Sequence, residues 1–73
     1  MKLTETTADT QGKIVRVDGD DHFMNRITSI GMTEGTHFQT VRNDKNMPVL
    51  IYLRETLISL NRADAARIEV DAR

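Results

Sequence analysis

Few residues in this 73-residue chain could do chemistry, and the first to consider are its two histidines, His22 and His37. Imidazole nitrogens bind transition metals, and a catalytic zinc site uses three protein ligands at defined spacing. Two histidines that lie 15 positions apart do not supply such a set, and the chain has no cysteine to complete one. We therefore predict histidines that are exposed to solvent or cap helices, with adventitious metal binding as the alternative.

The acidic run Asp18-Gly19-Asp20-Asp21 resembles the start of a calcium-binding loop. An EF-hand loop requires a bidentate glutamate at its twelfth position. Counted from Asp18, that position is Ser29, which cannot fill the role. The run instead predicts a turn before a helix, because the carboxylate of Asp20 or Asp21 can accept hydrogen bonds from the free N–H groups of the first helical turn.

Motifs for covalent or phosphate chemistry do not occur in the sequence. There is no cysteine nucleophile, no GxSxG turn around a reactive serine and no GxxxxGK[ST] phosphate-binding loop. The carboxylates are scattered along the chain rather than paired. We predict that the protein is not an enzyme and that it carries no cofactor.

The composition narrows the classes of partner. The chain has 10 lysines and arginines against 11 aspartates and glutamates, so it lacks the positive charge that nonspecific nucleic-acid binding requires. No apolar run approaches the roughly 18 residues of a membrane-spanning helix. The N-terminal Met1-Lys2-Leu3-Thr4-Glu5 lacks the apolar core of a signal peptide. We predict a single cytoplasmic domain over residues 1–73 without membrane insertion, and we favour a monomer.

Short β-prone segments separated by turn residues contain or flank the histidine and acidic side chains considered above. They predict strands over residues 13–17, 36–42, 49–54, 57–60 and 67–70, after an irregular lead-in over residues 1–11. A short helix is predicted over residues 22–30, and one further helical turn over residues 61–66. Five short strands and one helix in so short a chain favour a small antiparallel β-barrel, whose closure removes exposed strand edges.

A helix-to-strand corner is predicted at two glycines, Gly31 and Gly35. Gly31 follows the helix where a C-terminal cap needs a positive φ, which glycine adopts without a Cβ clash. Met32 then lies where its side chain can fold back on Ile27, the apolar contact that accompanies such a cap. Gly35 predicts a second reversal before the next strand.

Side-chain alternation along the predicted strands separates a core from an outer surface. The predicted core is Phe23, Ile27, Ile30, Phe38, Val49, Ile51, Ile58, Leu60 and Ile68. Apolar residues at the intervening positions form a candidate partner-binding surface: Met47, Leu50, Tyr52 and Leu57. The alternative is that the helix or the N-terminal segment covers these four side chains. Three arginines are predicted to be solvated: Arg42, Arg54 and Arg62.

The order of these features resembles the ferrous-iron transport protein A (FeoA) family. The matching motifs are Gly12-Lys13-Ile14, Ile27-x-x-Ile30-Gly31-Met32-x-x-Gly35-Thr36, Pro48-Val49-x-Ile51 and Leu60-x-x-x-x-Ala65-x-x-Ile68-x-Val70. The resemblance covers residues 12–70. One departure lies between the third and fourth strands, where Glu55 and Thr56 stand in a turn that contains glycine in many family members.

The resemblance implies an SH3-like β-barrel with a helix inserted after the first strand. It also implies a cytoplasmic, non-enzymatic accessory protein of ferrous iron uptake that contacts the cytoplasmic part of a ferrous-iron membrane transporter. Two other classes of function stay open. One is a nucleic-acid-binding barrel, which near-neutral charge and scarce aromatic residues disfavour. The other is a metal-sensing or iron-carrying module.

Overall fold

The backbone forms five antiparallel strands and two helices in the computed structural model, which describes residues 1–72. In chain order the elements are β1 (Gln11–Val17), α1 (Asp21–Ser29), β2 (His37–Arg42), β3 (Val49–Leu53), β4 (Thr56–Leu60), α2 (Arg62–Ala65) and β5 (Ile68–Ala72). The strands pair in the order β4-β3-β2-β1-β5. The prediction of a mainly β fold with a short helix after the first strand is confirmed.

The strands and helices share one hydrophobic core. Its buried members are Leu3, Ile14, Val17, Phe23, Ile27, Met32, Phe38, Val49, Ile51, Leu53, Leu60, Ala65, Ile68 and Val70. In the strand order of residues 1–72, β4 and β5 lie at opposite ends and are not hydrogen-bonded to each other. Leu60 of β4 and Ile68 of β5 nevertheless lie in the same core, so side-chain packing rather than a complete backbone ladder closes the barrel.

The predicted core is correct at most positions and wrong at Ile30. Seven of its members are buried: Phe23, Ile27, Phe38, Val49, Ile51, Leu60 and Ile68. Ile58 is partly buried and packs against them. Ile30 is 39% exposed because α1 ends at Ser29, so the backbone turns away before Ile30 can point along the apolar face of the helix. Met32, which is 1% exposed, is buried after the turn instead.

Helix α1 begins at an aspartate cap, as predicted. The Asp20 carboxylate accepts a hydrogen bond from the Phe23 N–H at 2.9 Å. At nine residues the helix is too short to be stable alone, and its buried Phe23 and Ile27 attach it to the barrel. Its exposed side is held to α2 by an ion pair between Arg26 and Asp64 at 3.0 Å. Among residues 1–72, no helix has the length and apolarity needed to cross a membrane.

The glycine corner after α1 has the predicted geometry. Gly31 has φ 95° and Gly35 has φ 86°. The Met32 N–H donates to the Ile27 carbonyl at 3.2 Å, and the Gly31 N–H donates to the Thr28 carbonyl at 3.0 Å. These two bonds define a Schellman cap. Met32 and Ile27 are both buried in the core, which agrees with the predicted contact.

The N-terminal segment is more ordered than the predicted lead-in. Residues Leu3–Glu5 form a 3₁₀ turn, and Leu3 is fully buried. The Val70 N–H donates to the Met1 carbonyl at 2.7 Å, and Lys2 bridges Glu69, so the segment runs along the outer edge of β5. The segment predicted as an irregular lead-in has no helix or strand over residues 6–10, while Leu3–Glu5 form the turn and Gln11 begins β1. The contacts that order its first residues come from the far end of the chain.

Candidate functional site

The four residues of the candidate partner-binding surface lie on or next to the β3–β4 hairpin, and we call them the hairpin face. Its members are Met47, Leu50, Tyr52 and Leu57. Leu50 and Tyr52 alternate along β3 and therefore point to the same side of the sheet. Tyr52 lies directly opposite Leu57 on β4. The structure thus brings three of the four onto one side of the hairpin.

The members of the hairpin face differ in exposure. Met47, Tyr52 and Leu57 are exposed by 55%, 44% and 58%. Leu50 is only partly exposed. Its cross-strand neighbours on the outer side are Arg42 and Ser59, which flank it on both sides. Leu50 is therefore the least exposed member of the hairpin face, while the other three leave apolar area open to solvent.

A shallow groove of about 240 Å³ lies at the Met47 end of the hairpin face. Its lining is Arg42, Asp44, Met47, Pro48, Leu50 and Ser59. The side chains of Arg42 and Asp44 form an ion pair there. The groove thus joins an apolar surface to a charged pair, a combination suited to an apolar side chain with polar neighbours.

Sequence reasoning found two of the groove residues and missed the other four. Ser59 could have been found, because it alternates with Leu57 along β4 and so shares its side of the sheet. Arg42 could not, because its place beside Leu50 depends on an irregularity in the pairing of β2 with β3 after Thr40. A register shift of this kind leaves no periodic signal in the sequence.

The loop that carries Met47 is held in place by Arg62. The Arg62 guanidinium donates to Asn43 Oδ1 at 2.7 Å, to the Met47 carbonyl at 3.0 Å and to the Asp44 carbonyl at 3.1 Å. The prediction that Arg62 is simply solvated is therefore wrong. Arg42 and Arg54 are exposed, as predicted.

Asn43 extends this network to the N-terminal segment. Its Nδ2 group donates to the Thr4 carbonyl at 2.9 Å and to the Thr6 carbonyl at 2.5 Å. The amide of one residue thus connects α2, through Arg62, to the 3₁₀ turn region and to the loop before β3. The position of Met47 on the hairpin face follows from these side-chain contacts rather than from the strands alone.

The turn at the other end of the hairpin is tight and contains no glycine. Arg54 has φ 48° and Glu55 has φ 62°. Two successive residues with positive φ are typical of the type I′ turn, whose twist matches that of the flanking strands. Glu55, at a position where many family members have glycine, therefore adopts a positive φ that costs a residue with a Cβ atom more than it costs glycine.

The histidines lie on the surface. His22 is exposed in the first turn of α1, and His37 is exposed at the start of β2, opposite Lys13. Within residues 1–72 no group of three or more histidines, cysteines, aspartates or glutamates is placed to hold a metal ion. Neither histidine belongs to the hairpin face.

The buried polar side chains of residues 1–72 are satisfied by hydrogen bonds within the protein. The buried hydroxyls of Thr6 and Thr40 share a hydrogen bond at 2.7 Å, and Thr6 also donates to the Leu3 carbonyl at 2.8 Å. In the described part of the chain, every buried side-chain nitrogen or oxygen has a hydrogen-bond partner.

Comparison with known proteins gives a consistent family match. A family model described as the FeoA domain matches residues 1–72. A Porphyromonas gingivalis protein named Fe(2+) transport protein A/Fe(2+) transporter FeoB fusion protein is 36% identical over 72 residues. The match covers 97% of this chain and 8% of that protein, so the chain spans a small part of the relative's length.

Solved structures share the fold. A crystal structure of an iron uptake regulatory protein (FeoA) has a TM-score of 0.95 at 20% identity, over 100% of this chain and 97% of that one. The Stenotrophomonas maltophilia FeoA complexed with zinc, described as a prokaryotic SH3 domain protein, has a TM-score of 0.82 at 24% identity, over 97% and 89% of the two chains. The predicted SH3-like fold is confirmed.

Proposed function

The chain belongs to the FeoA family, and on this premise we propose that it is a cytoplasmic accessory protein of ferrous iron uptake. It acts without catalysis, by binding the cytoplasmic part of a ferrous-iron membrane transporter. The observation that carries the proposal is the Porphyromonas gingivalis relative, whose name joins an Fe(2+) transport protein A and an Fe(2+) transporter in one polypeptide. A covalent fusion holds two modules at high effective concentration. This chain comes close to the transporter by noncovalent binding instead.

The hairpin face is the proposed contact surface. Met47, Tyr52 and Leu57 expose apolar area on one part of a small domain. A tyrosine buries a large ring at an interface while its hydroxyl keeps a polar contact, and a methionine adapts to irregular surfaces. The groove beside Leu50 offers a place for one apolar side chain of the transporter.

The other two classes of function have less support. A nucleic-acid-binding barrel needs cationic grooves and stacking rings, whereas this chain has a net charge of −1 and three aromatic residues among 73. A metal-sensing module needs several ligands in one place, and the two histidines are in different elements. An interaction with a protein partner requires only the exposed apolar surface that the hairpin provides.

The proposal is tested by measuring binding of the purified chain to the purified cytoplasmic portion of the transporter, together with ferrous iron uptake in cells that lack the chain. We expect saturable binding with a dissociation constant below about 100 μM, and restored uptake when the chain is reintroduced. No binding at that concentration, together with unchanged uptake, would contradict the proposed function.

A further inference from the structure

The two outer edges of the sheet differ in how they are covered. Along β5, the N-terminal segment supplies backbone partners, since Val70 bonds to Met1 and Lys2 bridges Glu69. At the opposite end of the strand order, β4 pairs with β3 and, within residues 1–72, with no other strand. One edge of the barrel is therefore closed by the chain itself, and the other is open.

The open edge presents two residues with free backbone groups. The β3–β4 loop has two residues, so the flanking pair Leu53 and Thr56 exchanges both backbone hydrogen bonds. Since this pattern alternates along the strand, Leu57 and Ser59 aim their N–H and C=O groups away from β3. Outside the sheet ladder, no backbone hydrogen bond of the described chain involves residues 56–60.

The sequence of β4 does nothing to prevent pairing at this edge. Natural edge strands are protected by charged side chains, proline or bulges. β4 reads Thr56-Leu57-Ile58-Ser59-Leu60, with no charge and no proline, and its pairing with β3 is regular throughout. An uncharged, regular edge of this kind is a template for a further strand.

The charges around β4 favour an acidic segment as the added strand. Residues 42–62 contain Arg42, Lys45, Arg54 and Arg62 against Asp44 and Glu55, although the whole chain has a net charge of −1. Arg54 precedes β4 and Arg62 follows it, so a cation lies near each end of the open edge. A segment with acidic residues near its two ends is complementary to this arrangement.

The same charges disfavour a second copy of the chain as the occupant. Antiparallel pairing of two β4 strands centred on Ile58 would bring the end of each strand that follows Arg54 next to the end of the other strand that leads to Arg62. Like charges brought together at an interface disfavour association. The edge is therefore suited to a different sequence.

We infer that β4 is a strand-addition site, at which an extended acidic segment of the partner protein joins the sheet. A residue of that segment opposite Ser59 has its side chain on the same side of the sheet as Ser59, about 5 Å away. Ser59 lines the groove of Met47 and Leu50, so that residue enters the groove and is apolar. The identity of the partner as the transporter rests on the proposed function; the strand-addition geometry does not.

The edge is tested first without the transporter. The probe is a capped seven-residue peptide with valine and threonine in alternation and a glutamate at each end, and its control carries lysine at each end. Amide hydrogen exchange of the chain is followed by NMR as each peptide is added. We expect the Leu57 and Ser59 amides to become protected, and the glutamate peptide to bind severalfold more tightly. If the Leu57 and Ser59 amides stay unprotected at about 5 mM of the glutamate peptide, the inference is overturned. The dissociation constant for strand addition would then lie above the millimolar range, too weak for a specific interaction.

A backbone variant tests the edge with the transporter. Ser59→Pro removes the outward N–H while leaving the bonds to β3, since proline is tolerated on an edge strand whose N–H faces outward. Ser59→Ala is the control, because it removes the hydroxyl and keeps the N–H. We expect Ser59→Pro to bind the cytoplasmic portion about tenfold more weakly than Ser59→Ala. If Ser59→Pro does not fold, the chain synthesised with an N-methyl group on Ser59 replaces it.

The outcomes separate the two proposals. Equal binding by Ser59→Pro and Ser59→Ala would overturn strand addition and leave the proposed function intact. Binding of the glutamate peptide without binding of the transporter portion would support strand addition and contradict the proposed function. A dimer of the unaltered chain that Ser59→Pro dissociates in sedimentation would overturn the inference by showing that a second copy occupies the edge.

Discussion

Tyr52 lies directly opposite Leu57 across the β3–β4 hairpin, and both side chains are substantially exposed, by 44% and 58%. An aromatic and an aliphatic residue paired across two strands stabilise a hairpin by roughly 0.2–1 kcal/mol. Together with Met47, the same pair makes up the exposed large side chains of the hairpin face. On the proposed function, a substitution at either position is therefore expected to affect stability slightly and partner binding strongly, and the two effects have to be measured on the same variant.

Leu57→Glu is expected to weaken binding to the transporter's cytoplasmic portion by about tenfold or more, because it places an unpaired charge in an apolar contact. The free energy of unfolding should fall by about 1 kcal/mol at most, since the side chain is exposed in the free chain. Calorimetry and circular dichroism on one preparation check both values. The control is Val15→Glu, which changes another exposed apolar residue, on β1, and should leave binding unchanged. Equal binding by both variants would place the contact elsewhere.

Asn43→Ala is expected to lower the free energy of unfolding by roughly 1–3 kcal/mol, because it removes an amide that contacts Thr4, Thr6 and Arg62. Urea denaturation measures the loss. Lys45→Ala in the same loop is the control, since Lys45 is exposed and its removal should change stability by less than about 0.5 kcal/mol. A stability of Asn43→Ala equal to that of the control would show that the loop does not depend on this network.

Gly31→Ala is expected to cost on the order of 1 kcal/mol or more, because φ 95° disfavours a residue with a Cβ atom. The added Cβ would meet the nearest atom of Leu53 at an ordinary 3.4 Å, so crowding contributes little. Gly35→Ala provides the comparison, because its φ of 86° is similar and its Cβ would meet nothing within 4 Å. Similar losses in thermal denaturation are expected, and full stability of Gly31→Ala would contradict the explanation.

Ile51→Ala is expected to cost roughly 2–5 kcal/mol, because its fully buried side chain leaves a cavity in the core. That loss is a large share of the stability of a domain of this size. Ile58→Ala should cost clearly less, since Ile58 is only partly buried. Denaturant titrations of the two variants check the order, and a reversed order would mean that the register of β3 against β4 is wrong.

Ferrous iron is expected to show no one-to-one complex of micromolar or better affinity with the chain. Anaerobic calorimetry measures this directly. The reason is that a tight site needs several ligands held together, whereas His22 and His37 are exposed on separate elements. A micromolar complex that His37→Ala abolishes would overturn this expectation.

Much of the fold could be predicted because its signals are local. Gly31 marks a cap whose two hydrogen bonds lie within six residues, and Asp20 bonds to the helix that it precedes. Alternation along β3 predicts that Ile51 points inward and Tyr52 outward, since a strand has a period of two. These features depend on residues close in the chain, which a single sequence displays.

The features that could not be predicted depend on contacts between distant residues. The sequence predicts a solvated Arg62. Its guanidinium instead donates to the carbonyl of Met47, which lies 15 residues earlier and comes close only in the folded protein. The 3₁₀ turn at Leu3 exists because it packs on the finished barrel. Ile30 follows Phe23 and Ile27 at the spacing of one helical face, so the sequence predicts that it is buried. The Schellman cap ends α1 at Ser29, and Ile30 therefore does not pack against the sheet.

The pairing of β1 with β5 has a consequence for how the protein is made in the cell. Gly12 lies opposite Ala72, so the side of β1 that does not face β2 has its neighbour only after the residues up to Ala72 are synthesised. At about 5–20 residues per second, a ribosome produces these two residues roughly 3–12 s apart. During that interval one side of β1 lacks its strand neighbour. Folding of a small β domain takes milliseconds to seconds, so translation, rather than the folding reaction, sets the length of this exposure.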